Sequence, residues 1–569
     1  MRLAVYYRRS RLCRGIGLVL RGERDTLLLG HALAVPEYRV YLMGVSFMKK
    51  RYVGAVLCLM LTMLLCTAAL LCGCAENDNP HITDADITEP TENLEGEMPG
   101  TLQNKNDNGG FCLGFGQVEL PLPDTPDGEP LYIAGFKNAY EATGVLDLQC
   151  ATAVWLDTGH DDGILFIGVD CVGLSSDYVA KIRERLTEDG KLPESASVNV
   201  YSTHDHAGVD TLGLWGPVGI DGKNEKFMET VVSGAVKAAE LAYRDRRTGT
   251  LTYSNADTSS AVPYGEFAGD DRPMQRDSRD PQVCDPLVYQ LRFIPDPNES
   301  DDADMSRGIR IIIYGAHAES LWADNSLVSR DFPGELARTI YEECGDRVLF
   351  MPGAVGGLIM TADLRGDNGE DRVWNMRYTG ERLAAHILTI PAENEEILTP
   401  DIDAVRVRLT VPLDNTVFMY YKFLGILGNE VVAGDGETGY SLISELGVVR
   451  IGDCVLAMIP GEIFPELVYG GYIDGAAAAD DVSDPTPLCE IAARAGYDRL
   501  LICGLANDEL GYIIPPGDFL VDGDAPYLKE ARGEDGRGHY EETNSAGKRT
   551  AGRIAAAFSE AVSELRQSR

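Results

Sequence analysis

Basic residues are scarce. The chain has 50 Lys and Arg against 89 Asp and Glu in 569 residues, a net charge of −39, and that deficit excludes nucleic acid or any other polyanion as the main partner. The expected partner is neutral or cationic. Several catalytic motifs are also missing: no GxSxG, HExxH, P-loop or EF-hand pattern occurs, so the serine-hydrolase elbow, the helical zinc-protease pair, the phosphate cradle and the calcium loop are set aside. Eight cysteines follow Cys74, namely Cys112, Cys150, Cys171, Cys284, Cys344, Cys454, Cys489 and Cys503, and none is spaced as CxxC. Several lie in apolar runs such as VLDLQCA, IGDCVLAM and RLLICG, which predicts buried fillers rather than a disulfide framework or a thiolate metal site. There is no internal repeat. Apolar residues make up 44% and charged residues 24%, as in ordinary globular proteins, so collagen-like, coiled-coil and wholly disordered classes are excluded.

One stretch carries no charge at all. Residues 52–73 are mainly apolar, follow Met48-Lys49-Lys50-Arg51 and end Leu71-Cys72-Gly73-Cys74, an order that reads as an export signal. The run is just long enough to span a bilayer, so an uncleaved anchor is the alternative. The Leu-x-Gly-Cys ending resembles the lipobox of bacterial lipoproteins, which makes Cys74 the expected lipidation site and first mature residue. The body is then an extracytoplasmic domain held to the cell membrane by a lipid anchor. Residues 1–47 precede this signal; text such as RRSRLCRGIGLVLRGERD lacks a sustained helix or strand period and is read as spurious upstream sequence, with a cytosolic extension as the alternative. Residues 75–108 are polar and acidic, as a flexible linker would be.

Residues 109–569 read as one large α/β unit. Short β-branched runs (CATAVWL, GILFIGVD, SVNVYST, LVYQLRFI, GIRIIIYGAH, RVLFM, AVRVRLTV, DCVLAMI, RLLICG) interleave with amphipathic stretches. Helices are expected near Ser176–Leu186, Glu225–Tyr243, Pro333–Glu342, Met376–Leu388 and Ala551–Leu565. The predicted architecture is mixed sheets with flanking helices.

Polar residues collect after the strands. SVNVYST runs into His204-Asp205-His206, RIIIYGA into His317, VLAMIPG into Glu462, and RLLICGLANDELG into Tyr512. Ligands of open α/β sheets bind beyond the carboxyl ends of strands, so residues distant in sequence can converge there. Imidazoles, a carboxylate and a phenol can hold a metal, and a site with an open position for water can hydrolyse amides or esters. Each residue also has a plainer reading: His317 as a hydrogen-bonded core histidine, Glu462 as a carboxylate at a helix N-terminus. His204 and His206 at i, i+2 face the same way on an extended strand.

STHDHAG resembles the THTHSGP signature of the neutral/alkaline non-lysosomal ceramidase family, and further segments follow in the family's order. GILFIGVDCVGL, GAHAES with SLVSRDFPG, MIPGEIF, GLANDELGYI and GHYEETNSAG are similar to its Asp-ended strand, second histidine segment, PGE segment, GLxNxxxGY segment and closing YE segment. The resemblance covers roughly Phe111 to the C-terminus. It implies Zn²⁺ held by His204, His317, Glu462 and Tyr512, with His206 beside it as an acid/base group or as a support for the ligands.

This sequence departs from the family in places. GAVGG stands where the family has GDVSP, so Gly356 replaces a serine needed for activity and Gly357 a proline; the carboxy-terminal immunoglobulin-like domain is missing. The GAVGG turn is also read as a source of backbone N–H groups for an oxyanion, or simply as a turn. Two functions stay open. One is a surface-tethered, zinc-dependent hydrolase of an amide or ester bond in a small amphiphilic or N-acyl substrate; the other is an inactive lipoprotein of the same fold that binds a lipid, glycan or peptide.

Overall fold

The computed structural model describes residues 110–567 except 125–128, 160–161, 189, 191, 298–306, 361–368, 474–481 and 534–535, together with three strands in the first 29 residues. The expected signal, Cys74 and the linker lie outside the described residues. Leu3–Tyr7, Ile16–Arg21 and Thr26–Leu29 form an antiparallel meander. LAVYY, IGLVLR and TLLL are apolar runs long enough to pair but too short to give a sustained period.

The body begins with eight main strands: β1 (Phe111–Glu119), β2 (Cys150–Asp157), β3 (Ile164–Val169), β4 (Ser197–Ser202), β5 (Arg247–Asp257), β6 (Leu287–Pro295), β7 (Ile309–Tyr314) and β8 (Arg347–Pro352). They form one sheet in the order β8-β7-β6-β5-β1-β2-β3-β4, with Glu396–Ile397 added beside β5. Only the outermost pairs are parallel, β3 with β4 and β7 with β8. A parallel pair needs a long crossover, supplied by α1 (Ser176–Glu188) between β3 and β4. The 20-residue helix α2 (Glu225–Arg244) precedes β5, and α3 (Asp331–Cys344) joins β7 to β8.

Helix α2 shows how the sequence sets the packing. Asn224 caps it by accepting a hydrogen bond from the Phe227 N–H at 3.1 Å, and Phe227, Val231, Ala235, Ala238 and Ala242 make its buried stripe. It lies so close to β1 that a Cβ at Gly114 or Gly116 would fall 2.0 Å from the Ala242 carbonyl oxygen or 2.1 Å from that of Ala238. Glycine is required at both positions.

After α4 (Gly369–Leu388) come β9 (Ile402–Leu413), α5 (Thr416–Phe423), β10 (Tyr440–Ile451) and β11 (Cys454–Met458). The two-residue strand β12 (Glu462–Ile463), α6 (Pro465–Tyr469), α7 (Leu488–Ala495), β13 (Arg499–Cys503), the short β14 (Tyr512–Ile513) and α8 (Thr550–Gln567) complete the chain. The second sheet runs β9-β10-β11-β13, and again one pair, β11 with β13, is parallel. The two sheets face each other across a core that includes Phe166, Tyr201 and Ile311 from the first and Leu456, Met458 and Leu501 from the second. Helices α1 and α2 cover one half of the first sheet's outer face, α3 and α4 the other half, and α8 covers the second sheet. The result is a four-layer helix–sheet–sheet–helix body, in agreement with the mixed architecture expected from sequence.

Strands β1, β5, β10, β12 and β14 and helices α5, α6 and α7 were not expected from the sequence, and α4 begins at Gly369 rather than near Met376. The eight body cysteines are all free, and Cys150, Cys171, Cys454 and Cys503 are buried as expected.

Candidate metal centre

Each chosen residue follows a strand that belongs to a parallel pair. His204 comes after β4 and His317 after β7, Glu462 comes after β11 and opens β12, and Tyr512 comes after β13 and opens β14. At these ends backbone groups turn away from the ladder and leave room for side chains to converge.

His204 takes a left-handed backbone, φ +62°, at a cost of about 1–2 kcal/mol for a residue with a Cβ. The kink turns its ring so that Nδ1 donates to the Val172 carbonyl at 2.8 Å. His317 Nδ1 likewise donates to the Leu358 carbonyl at 2.6 Å. With Nδ1 carrying a proton, a ring that holds no second proton presents its Nε2 lone pair. Both Nε2 nitrogens face the same atom, Glu462 Oε2, at 3.2 Å from His204 and 3.1 Å from His317. His206 Nε2 lies 3.2 Å from His204 Nε2, and the ligand atoms of the three histidines all fall within 4.8 Å of one another.

Lone pairs on nitrogen and a carboxylate oxygen at such distances repel unless a cation sits among them. A proton can serve, and so can a metal. Burial alone would raise the Glu462 carboxyl, but the imidazoles of His204 and His317 outweigh it and hold that carboxyl below the usual range. Burial pulls His317 down, and its bond to Glu462 with the charge of Glu319 turns the net shift upward. His206 goes the other way: burial first, then the charge of the two other histidines, push it far below the usual imidazole value. Its Nδ1 is buried without a hydrogen-bond partner. Gly135, at φ +98°, is what admits the ring, because a Cβ there would meet His206 Nδ1 at 2.4 Å. Three histidines and one carboxylate therefore fit a divalent metal by donor type and spacing.

The structure thus gives His206 a nitrogen within ligand reach of the same point, whereas the sequence placed it only beside the metal. Tyr512 pairs in register with Glu462 across the β12–β14 ladder, and its hydroxyl lies 3.2 Å from that of Tyr540. Burial, then the Glu462 carboxylate, hold the Tyr512 phenol far above its ordinary value.

Gly356 proves to be a close contact. Its N–H donates to the Ile463 carbonyl at 2.9 Å, so this group of the GAVGG turn is already bonded and does not serve an oxyanion. A Cβ at Gly356 would lie 2.5 Å from Phe464 Cδ2 and 2.6 Å from the Glu462 carbonyl oxygen. The strand that carries Glu462 occupies the space a serine side chain would need.

Two participants were missed in the sequence. Tyr540 stands in the GHYEETNSAG segment, yet nothing in a lone tyrosine marks it. Arg279, 4% exposed, binds Glu541 at 2.6 Å, Glu542 at 2.8 Å and Asp518 at 2.9 Å, which anchors the residues following Tyr540. Its text, DSRDP, gives no signal.

Comparison with solved structures agrees with this architecture. Neutral ceramidase from Pseudomonas aeruginosa superimposes with a TM-score of 0.58 at 17% identity, over 81% of this chain and 75% of the other. A ceramidase complexed with C2 gives 0.58 at 15% identity, over 81% and 76%. The fold resembles that of neutral ceramidase. No family model and no curated protein matches the chain.

Proposed function

We propose that the protein is a metal-dependent hydrolase of an amide bond, an ester being the chemical alternative, in an amphiphilic or N-acyl compound. The observation that carries this reading is the convergence of two Nε2 atoms, from His204 and His317, on one Glu462 oxygen. His204, His317 and Glu462 hold the metal, His206 or Tyr512 completes the set, and the nitrogen and oxygen donors favour zinc. A zinc ion at this place supplies Lewis acidity and water with a pKa lowered to roughly 7. Where Tyr512 completes the set, His206, with an unpartnered Nδ1 and a neutral ring, is the group suited to take a proton and pass it to the leaving amine. Phe136 walls the site on that side, its ring centroid 5.0 Å from that of His206, and Trp322 stands behind it, 5.3 Å from Phe136.

The fold shared with ceramidases supports amide chemistry, and the closed space at Gly356 argues that ceramide is not the preferred substrate. A lipid on Cys74 would keep the enzyme at the outer membrane surface, where amphiphiles are found. The test is a panel of N-acyl and O-acyl compounds with the metal-loaded chain. Turnover abolished by Glu462→Gln and strongly reduced by His206→Ala is expected. Ceramide turning over fastest would overturn the specificity, and a metal-loaded protein inert on the whole panel would leave a binding lipoprotein instead.

A further inference from the structure

Single exposed apolar side chains are ordinary on protein surfaces, but one set here is gathered. Val218 and Ile220, 56% and 59% exposed, lie on the loop that follows the first histidine segment, and Phe423 and Leu424, 71% and 43% exposed, end α5. The two loops are neighbours: a Cβ at Gly219 would sit 3.8 Å from Leu424 Cδ1, and Lys223 Nζ donates to the Ile426 carbonyl at 2.7 Å. Neither 211–220 nor 415–429 contains an acidic residue, in a chain that has 89.

The patch is continuous with the candidate site. Leu212, at the base of the first loop, packs on Val172, whose carbonyl orients His204. Phe418 of α5 lies against Gly511, with 3.4 Å between its Cζ and a Cβ built there, next to Tyr512. The Asn138 side chain, two residues from Phe136, donates to the Leu214 carbonyl at 2.8 Å, which links the patch to the ring ladder running from Trp322 through Phe136 to His206.

We propose that this rim is a membrane-contacting face, seated on a phospholipid surface, through which an amphiphilic substrate reaches the metal centre. The substrate clause rests on the proposed hydrolase reading; the seating does not. Loops bearing Phe, Trp and branched aliphatic side chains partition into the bilayer interface. A body of net negative charge is repelled by anionic lipid, so a rim whose loops carry no acid of their own, with Asp221 and Glu430 only at its borders, is the surface that can approach. Residues 75–109, fully extended, reach at most roughly 120 Å. With a lipid on Cys74, as proposed above, a tether of that length would hold the body near the membrane without orienting it, and the orientation has to come from the body's own surface.

The test uses the full chain reconstituted in phosphatidylcholine–phosphatidylglycerol vesicles containing lipid brominated on the acyl chain. Phe423→Trp should add fluorescence that the bromolipid quenches, whereas Ile397→Trp, at a remote site 76% exposed, should add fluorescence that it does not. Equal quenching at the two positions would overturn the proposal, as would a detergent-solubilised dimer that Phe423→Asp dissociates, because a second copy would then cover the rim. Ile220→Asp with Phe423→Asp should keep metal content and hydrolysis of a short water-soluble N-acyl compound, and slow a long-chain analogue in vesicles at least tenfold. Equal rates on the long-chain analogue would refute substrate entry through the rim. A parent chain that hydrolyses neither compound would refute the hydrolase reading, and the quenching result would still decide the seating.

Discussion

Two imidazole nitrogens, each within hydrogen-bond distance of one carboxylate oxygen, make His204, His317 and Glu462 the residues on which the site depends. His317→Ala should leave the purified chain with little metal, read by elemental analysis beside the parent; full occupancy would remove His317 from the ligand set. Gly356→Ser tests a different point. Restoring the serine of the resembling family should not restore ceramidase activity, because the new side chain strikes Phe464 and the Glu462 backbone. Overpacking of this kind costs about 1–3 kcal/mol, so a lowered melting midpoint and weaker metal retention are expected. A stable Gly356→Ser protein that cleaves ceramide would show that the β12 strand yields. His204, His317 and Glu462 were legible because chemically distinctive side chains follow recognisable strands. Tyr540 and Arg279 were not, because their roles arise from contacts between segments that no local pattern encodes.

At the scale of elements, the strands with β-branched runs were legible, and those diluted by polar or small residues, such as β10 (YSLISELGVVRI), were not. The preference of the site for parallel pairs was hidden too, since pairing direction depends on which strands meet rather than on their composition. Helix α6, directly after the β12 ligand strand, carries its own liability. Glu466 is 4% exposed with Oε2 unpartnered, and burial above all, with the Asp277 carboxylate adding, raises its pKa to about 8. The folded state therefore holds a proton that the unfolded chain releases near the ordinary value, so this group's contribution to stability is present below about pH 4.5 and is lost as pH rises toward about 8. Glu466→Gln should flatten that loss, measured as melting midpoints at about pH 5 and about pH 8 in parent and variant. An unchanged pH slope would mean that Glu466 is charged in the fold.

For the whole molecule, the four-layer body is held without a disulfide among the described residues, and its candidate metal ligands come from both sheets. A ligand that binds only the folded state stabilises it by mass action, about 2.7 kcal/mol at a hundredfold excess over its dissociation constant. Chelation should therefore lower the melting midpoint by a few degrees, reversed by added zinc. Complete metal removal with no change in the midpoint would place the ion outside the fold's stabilising contacts. The separation of the ligands along the chain has a further consequence in time. Residues 204 and 317 leave the ribosome well before residue 462, so the nascent amino-terminal sheet carries exposed imidazoles without their carboxylate. On the proposed ligand set, tight capture of an ion would wait for the second sheet to be synthesised and docked. Metal uptake during refolding is thus a clock for the docking of the two sheets, slower than the appearance of helical signal and independent of any oxidant.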